Sequence, residues 1–277
     1  MNHRQLLKTS LLLAMTFFVC TDALFAQGTV KTRHNDFWLD FGAGIGSSTL
    51  YDKGTIPFAY RGLNNSLRFG FTDEWHRYHI HFDGGRTKTN LHDLEGKVYG
   101  ISLNFDFLVD CAPYKAEKLG RWHFYTGVAA ESFMDLKLIQ DLGNAASAFS
   151  AFGNLSLVEQ MQCNFAYDKT KTHPWMTLFL RLSVPVVGFG NRPDFIYVHD
   201  DAGNSSLVSK LTSHNESYFK MFAGCTTDFG FRLNLRNGNK IGLSYNWNYI
   251  TSGKKSAYRY DNAFHDFYLT FLFKINR

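Results

Sequence analysis

Proline and cysteine are scarce in this chain, at five and four among 277 residues, and a long unbroken apolar run is missing beyond its first 26 residues. Cys20 lies within those 26, and Cys111, Cys163 and Cys225 form an odd, widely spaced set. Such a set suits neither a disulfide framework nor a zinc site, so neither a metal nor any other cofactor is expected. Crossing a membrane as a helix takes roughly 20 consecutive apolar residues, which no later stretch approaches. Charge of one sign is also lacking. Setting aside Arg4, Lys8 and Asp22 leaves 27 Lys and Arg against 23 Asp and Glu, too mild a surplus to point to nucleic acid.

Residues 1–26 have the three-part build of a secretory signal. Arg4 and Lys8 give a positive start, residues 11–19 (LLLAMTFFV) an apolar centre, and Ala23, Leu24, Phe25 and Ala26 an exit of small residues. The apolar centre is too short for a spanning helix. Val19 stands where a lipoprotein signal ending at Cys20 would want a small residue. Cleavage after Ala26 is therefore expected, leaving residues 27–277 as one exported domain beginning at Gln27.

What the chain does have is aromatic side chains: 27 Phe, 14 Tyr and 5 Trp, with 23 Gly. Strands favour aromatics. A period of two runs through segment after segment. In 97–110, Tyr99, Ile101, Leu103, Phe105, Phe107 and Val109 alternate with Gly100, Ser102, Asn104, Asp106 and Leu108. In 240–250, Ile241, Leu243, Tyr245, Trp247 and Tyr249 alternate with Gly242, Ser244, Asn246 and Asn248. The last segment sets Phe267, Leu269, Phe271, Phe273 and Ile275 against Asp266, Tyr268, Thr270, Leu272 and Lys274. Similar alternation in 37–47, 66–72, 78–83, 122–129, 176–184 and 228–235, with a weaker run at 155–167, predicts about ten strands with one apolar and one polar face. The mean hydropathy of −0.22 is no obstacle, since alternation cancels in an average.

The links between these strands read as alternately long and short. Residues 48–59, 84–96, 136–154, 188–217 and 251–262 are the long ones. The links near Asp73 and Glu74, at 168–172 and at 236–239 are short, and 111–120 is intermediate. An all-β, antiparallel up-and-down transmembrane barrel joins its strands in this way. A soluble β-sandwich is the competing architecture, but its strands are typically only ~5–6 residues long. Pro185 and Glu159 sit badly in the barrel; the first suggests a bulge near the external rim, the second a misread strand.

On this architecture and on its closing strand, 267–275, the chain resembles bacterial outer-membrane β-barrel proteins, over nearly all of 37–277. The closing strand looks like the one that the barrel assembly machinery recognises in that class. Members usually end on an aromatic residue; here Phe273 is the last, and the chain continues to Arg277. The resemblance implies residence in the bacterial outer membrane, contact with its lipid and passage through the assembly machinery. It implies no subfamily.

In such a barrel the polar faces turn inward. The lumen would then hold Asp40, Arg68, His79, His81, Asp83, Asn104, Asp106, His123, Glu131, Arg181, Lys220, Asp228, Arg232 and Asn246. About ten strands enclose a space that side chains can fill. The expectation is a mutually paired polar plug, with Arg68, Arg181, Lys220 and Arg232 neutralising Asp40, Asp83, Asp106 and Asp228. His79, His81, Asp83 and His123 form the one cluster that invites a catalytic reading. An outer-membrane hydrolase, either a protease or a lipid A hydrolase, is thus an alternative, as is a narrow small-solute pore. His199, Asp200 and Asp201 in the longest link are the nearest approach to the Asp-His pair of outer-membrane proteases. The apolar residues of 142–154 could meet a protein partner, lipopolysaccharide or the lumen itself.

Overall fold

In the computed structural model the described residues are 36–52, 56–75, 77–92, 95–111, 122–139, 147–165, 174–193, 215–220, 223–252 and 259–275. The segment read as a secretory signal, 1–26, lies outside them, as does His199 to Asp201. Every regular element among the described residues is a strand: β1 (Asp36–Asp52), β2 (Ile56–Trp75), β3 (Tyr78–Leu91), β4 (Gly96–Asp110), β5 (Trp122–Ile139), β6 (Ser147–Phe165), β7 (Met176–Pro193), β8 (Asn215–Lys220), β9 (Ala223–Asn234), β10 (Lys240–Ser252) and β11 (Tyr260–Ile275).

From β1 to β8 each strand pairs antiparallel with the next in sequence, β9 pairs with β10 and β10 with β11, and β11 returns to β1. Both β8 and β9 pair with β7, β8 with its outer half and β9 with its inner half, so together they occupy one place in the wall. The result is a closed barrel of ten strands, as the alternation predicted. Partners followed once around the wall lead from Asp36 through Glu74, His79, Leu108, Gly127, Val158, Ser183, Thr226, Asn248 and Phe264 to Ser48. The offset of twelve residues on β1 is the stagger that closure of tilted strands requires.

The predicted faces hold. Phe41, Ile45, Phe69, Phe105, Leu243, Phe267 and Phe273 are exposed outward, Ile45 at 68%, while Trp38, Asp40, Asp83, Asp106, Asp228 and Asp266 are buried inward. A wall whose outer side is apolar and inner side charged is stable only in lipid. Stacked outward pairs, Phe37 with Phe71 and Tyr78 with Phe107, mark the end of the wall that carries Asp36 and Ile275. On the expectation that short turns lie on the periplasmic side, this is the periplasmic end.

Link lengths differ from the expectation. The strands are 12–20 residues long where they are continuous, and they extend well past the apolar band on the outer side. The links read as long at 48–59 and 84–96 shrink to 53–55 and 92–95, because Ser48, Leu50 and Asp52 continue the inward phase of β1, and Thr87, Thr89 and Leu91 that of β3. Alternation of chemical type fades there, yet pairing does not. The weaker strand, 155–167, is the inner part of β6, with Glu159 facing outward opposite Thr126 and Leu182. Pro185 does mark a bulge: the β6–β7 register shifts between Leu155 and Ser156, though this lies mid-strand rather than at the rim.

Candidate functional site

The lumen is crossed by three tiers of side chains. The lowest, at the periplasmic end, is a floor of rings and cations. Trp38 donates its Nε1–H to the carbonyl of Gly238 at 3.1 Å, with Lys240 Nζ 3.6 Å from its ring centroid. Arg232 stacks over Phe179 at 4.5 Å, an ion-to-ring contact where a carboxylate partner was expected. His79 lies 3.7 Å from Glu74, and His123 is bonded to Asp110 at 3.2 Å. Both imidazoles pack on Tyr125, with centroids 5.7 and 6.2 Å away.

The middle tier carries most of the predicted network. Arg181 on β7 reaches across the lumen to Asp106 on β4 with a two-pronged contact, at 2.9 and 2.8 Å. It also approaches Glu131 on β5 at 3.5 Å. Ser156 and Ser183 each donate to Glu131 at 2.7 Å. Arg68 meets Asp83 at 2.8 Å and Asp228 at 3.6 Å. Asn104 donates to Asp83 at 3.3 Å. His81 is fully engaged: Arg68 lies 3.2 Å from its Nε2, and Thr72 lies 3.0 Å from its Nδ1 while donating onward to Asp40 at 2.9 Å. Asp83 also lies 3.4 Å from the same Nε2.

The candidate cluster is therefore divided. His81 and Asp83 belong to the middle tier; His79 and His123 belong to the floor with separate acids. Among the described residues no three of His, Cys, Asp and Glu converge to hold a metal. Among the described side chains of the middle tier, Arg68 and Arg181 are the cations that face Asp40, Asp83, Asp106, Glu131, Asp228 and Asp266. Lys220 ends β8, and its side chain lies outside the described part. Among these residues lies a cavity of about 90 Å³ lined by Asp106, Glu131, Asp228, Asn246, Asn248 and Tyr268. The Oδ1 atoms of Asp228, Asn154 and Asn248 have no hydrogen-bond partner. A polar space of this size suits water molecules, which would supply the missing donors.

The outermost tier was missed in the sequence because its residues fall in stretches read as links. Lys137, 1% exposed, donates to Asp52 at 2.5 Å and to Ser150 at 3.2 Å, and lies 3.3 Å from Asp135. Arg192 pairs with the other oxygen of Asp52. Tyr260 donates to Asp135 at 2.9 Å, and its ring lies under both cations, 5.4 Å from Lys137 and 5.3 Å from Arg192. Phe152 packs on that ring with centroids 4.7 Å apart. Side chains of β1, β5, β6, β7 and β11 so form a bar across the lumen. Phe152 belongs to the stretch 142–154, whose described part, from Ser147, is strand rather than exposed loop. The persisting phase of Asp135 and Lys137 with Glu131 was the available clue.

No protein-family model and no curated protein matches the chain. Solved structures do. The outer membrane protease OmpT from Escherichia coli aligns with a TM-score of 0.50 at 8% identity, over 91% of this chain and 100% of that one. The translocator domain of the autotransporter NalP from Neisseria meningitidis, 10% identical, aligns over 96% of both chains with a TM-score of 0.33. Neisserial surface protein A, also 10% identical, covers 83% of this chain and 96% of its own, with a TM-score of 0.32. The fold is that of the bacterial outer-membrane β-barrels, and its outward apolar wall suits a lipid setting.

Proposed function

We propose that the protein is a structural or surface-interaction barrel of the outer membrane, with a lumen closed by its own side chains. The observation that carries this reading is the bar of Asp52, Lys137, Arg192, Asp135 and Tyr260, in which opposite walls are tied through buried charges. Buried charges are retained when they are paired, and removing one partner strands the other. Protein partners would then be met at the outer rim, above the bar.

The imidazole of His81 supports the same reading over a hydrolase. It has both ring nitrogens engaged, and it lies in the middle tier, beneath the bar rather than at the outer rim. His81→Ala should lower the melting temperature of the barrel in detergent, because Arg68 and Asp40 lose a partner. Peptide and lipid A hydrolysis assays on the intact protein should show no turnover. Turnover that vanished in an equally stable His81→Ala barrel would overturn the proposal in favour of an enzyme.

A further inference from the structure

The outer side of β2, β3 and β4 departs from the rest of the apolar wall. Row by row from the periplasmic side, Phe69, Gly84 and Leu103 pair across the three strands, then Leu67, Arg86 and Ile101, then Asn65, Lys88 and Tyr99, then Leu63, Asn90 and Lys97. Arg61 follows on β2, opposite Thr49 of β1. Four cations thus begin at the upper edge of the apolar band and rise over two further rows and beyond. At ~6.6 Å per two residues, Arg86 and Lys97 lie about 13 Å apart along the strands. Arg61, Arg86 and Lys97 are exposed and Lys88 is half-exposed. None of the four has an ion-pair partner among the described residues, and the outward acid on these strands, Asp73, lies at the opposite end of the wall, about 20 Å from the level of Arg86. Glu95 stands above, in the link between β3 and β4.

We infer that this face binds the phosphate groups of a phosphorylated glycolipid in the outer leaflet. Outward charge is costly at the depth of the acyl chains but tolerated at the interface, where long basic side chains reach headgroups. The depth of Arg86, level with Leu67 and Ile101 and one row above Phe69 and Leu103, is that boundary. Leu67, Phe69, Ile101 and Leu103, all exposed, provide the apolar surface at and below that level on which acyl chains of the same lipid would lie. Guanidinium groups bind phosphate oxygens in two-pronged fashion, and ammonium groups add point charge. One lipid therefore meets both halves of the face: chains against the band, phosphates against the cations. The inference rests on the membrane setting and is independent of whether the lumen is closed.

The test uses the full barrel, purified in detergent and stripped of lipid, with binding followed by native mass spectrometry and by the shift in melting temperature. The probes are bis-phosphorylated lipid A, the same lipid A after removal of its phosphates, and inorganic phosphate. The variants are Arg86→Gln with Lys88→Gln, the same pair with Arg61→Gln and Lys97→Gln added, and Arg236→Gln in the exposed β9–β10 turn as a control. Bis-phosphorylated lipid A should bind the unaltered barrel and the control alike. Its affinity should fall roughly tenfold or more in the fourfold variant, given the usual contribution of each basic residue at an anionic lipid surface. The double variant should fall between. Dephosphorylated lipid A should bind the unaltered barrel as weakly as phosphorylated lipid binds the fourfold variant, and inorganic phosphate should give no shift. Equal binding by the unaltered and fourfold barrels would overturn the assignment. So would equal binding of lipid A with and without its phosphates, or a melting shift produced by phosphate alone.

Discussion

Arg181 shows how single residues divide the work of closing this barrel. Its two-pronged contact with Asp106 joins β7 to β4 across the lumen, and Glu131 braces the same guanidinium from β5. Arg181→Ala leaves two carboxylates facing each other without a cation, and should cost about 3–5 kcal/mol of unfolding free energy, the usual consequence of breaking a buried pair. Asp228 is the opposite case. Its nearest cation, Arg68, sits 3.6 Å away and is closer to Asp83, while its Oδ1 has no partner. Because the described side chains of the middle tier include more carboxylates than cations, Asp228→Asn should be neutral or stabilising, whereas Asp83→Asn should destabilise. Denaturant unfolding of the three variants in one detergent checks the ordering. A large loss in Asp228→Asn would mean that its charge is needed.

Individual strands are written in a two-residue code, and at this scale the sequence was most informative. The alternation of 97–110 assigns Phe105 outward and Asn104 inward, and β4 places them so. The code was readable where Phe and Leu alternate with Asp and Asn, and it failed where both faces carry polar or small residues. On the outer half of β1 the outward residues are Ser47, Thr49 and Tyr51, so the chain reads as a link although Ser48, Leu50 and Asp52 stay in phase. The bar across the lumen was lost with those residues. Long-range pairing, such as Lys137 with Asp52 on strands far apart in the wall, has no local signature at all. The floor was hidden for a related reason, since an Arg over a Phe ring looks in sequence like any unpaired cation.

Two substitutions probe the strands directly. Leu243→Arg sets a charge on the lipid side of β10 and should cost ~2–4 kcal/mol in a bilayer unfolding assay, whereas Ser244→Asn, one residue on and facing the lumen, should be far milder. Equal effects would mean that the register is wrong. Gly46 lies on the seam where the first strand meets the last, and a Cβ there would come within 1.9 Å of the His265 carbonyl oxygen. Backbone cannot yield that far without parting the strands. Gly46→Val should accordingly slow or prevent folding into liposomes, seen as loss of the heat-dependent mobility shift of a closed barrel, while substitution at Gly153, where a Cβ meets nothing within 4 Å, should not.

At the scale of the whole molecule, the proposed closure of the ten-stranded lumen is double, by the floor of Trp38, Phe179 and Tyr125 and by the bar of Lys137, Arg192 and Tyr260, with a small polar cavity between. Electrical conductance across a planar lipid bilayer tests that claim most directly. The intact barrel should insert and remain silent, without stable unitary currents. Removing the bar and the middle cross-link together, with Lys137→Ala, Arg192→Ala and Arg181→Ala, should raise conductance or its flicker above that baseline. Steady, single-sized currents from the intact barrel, unchanged in the triple variant, would contradict the account and make the protein a pore.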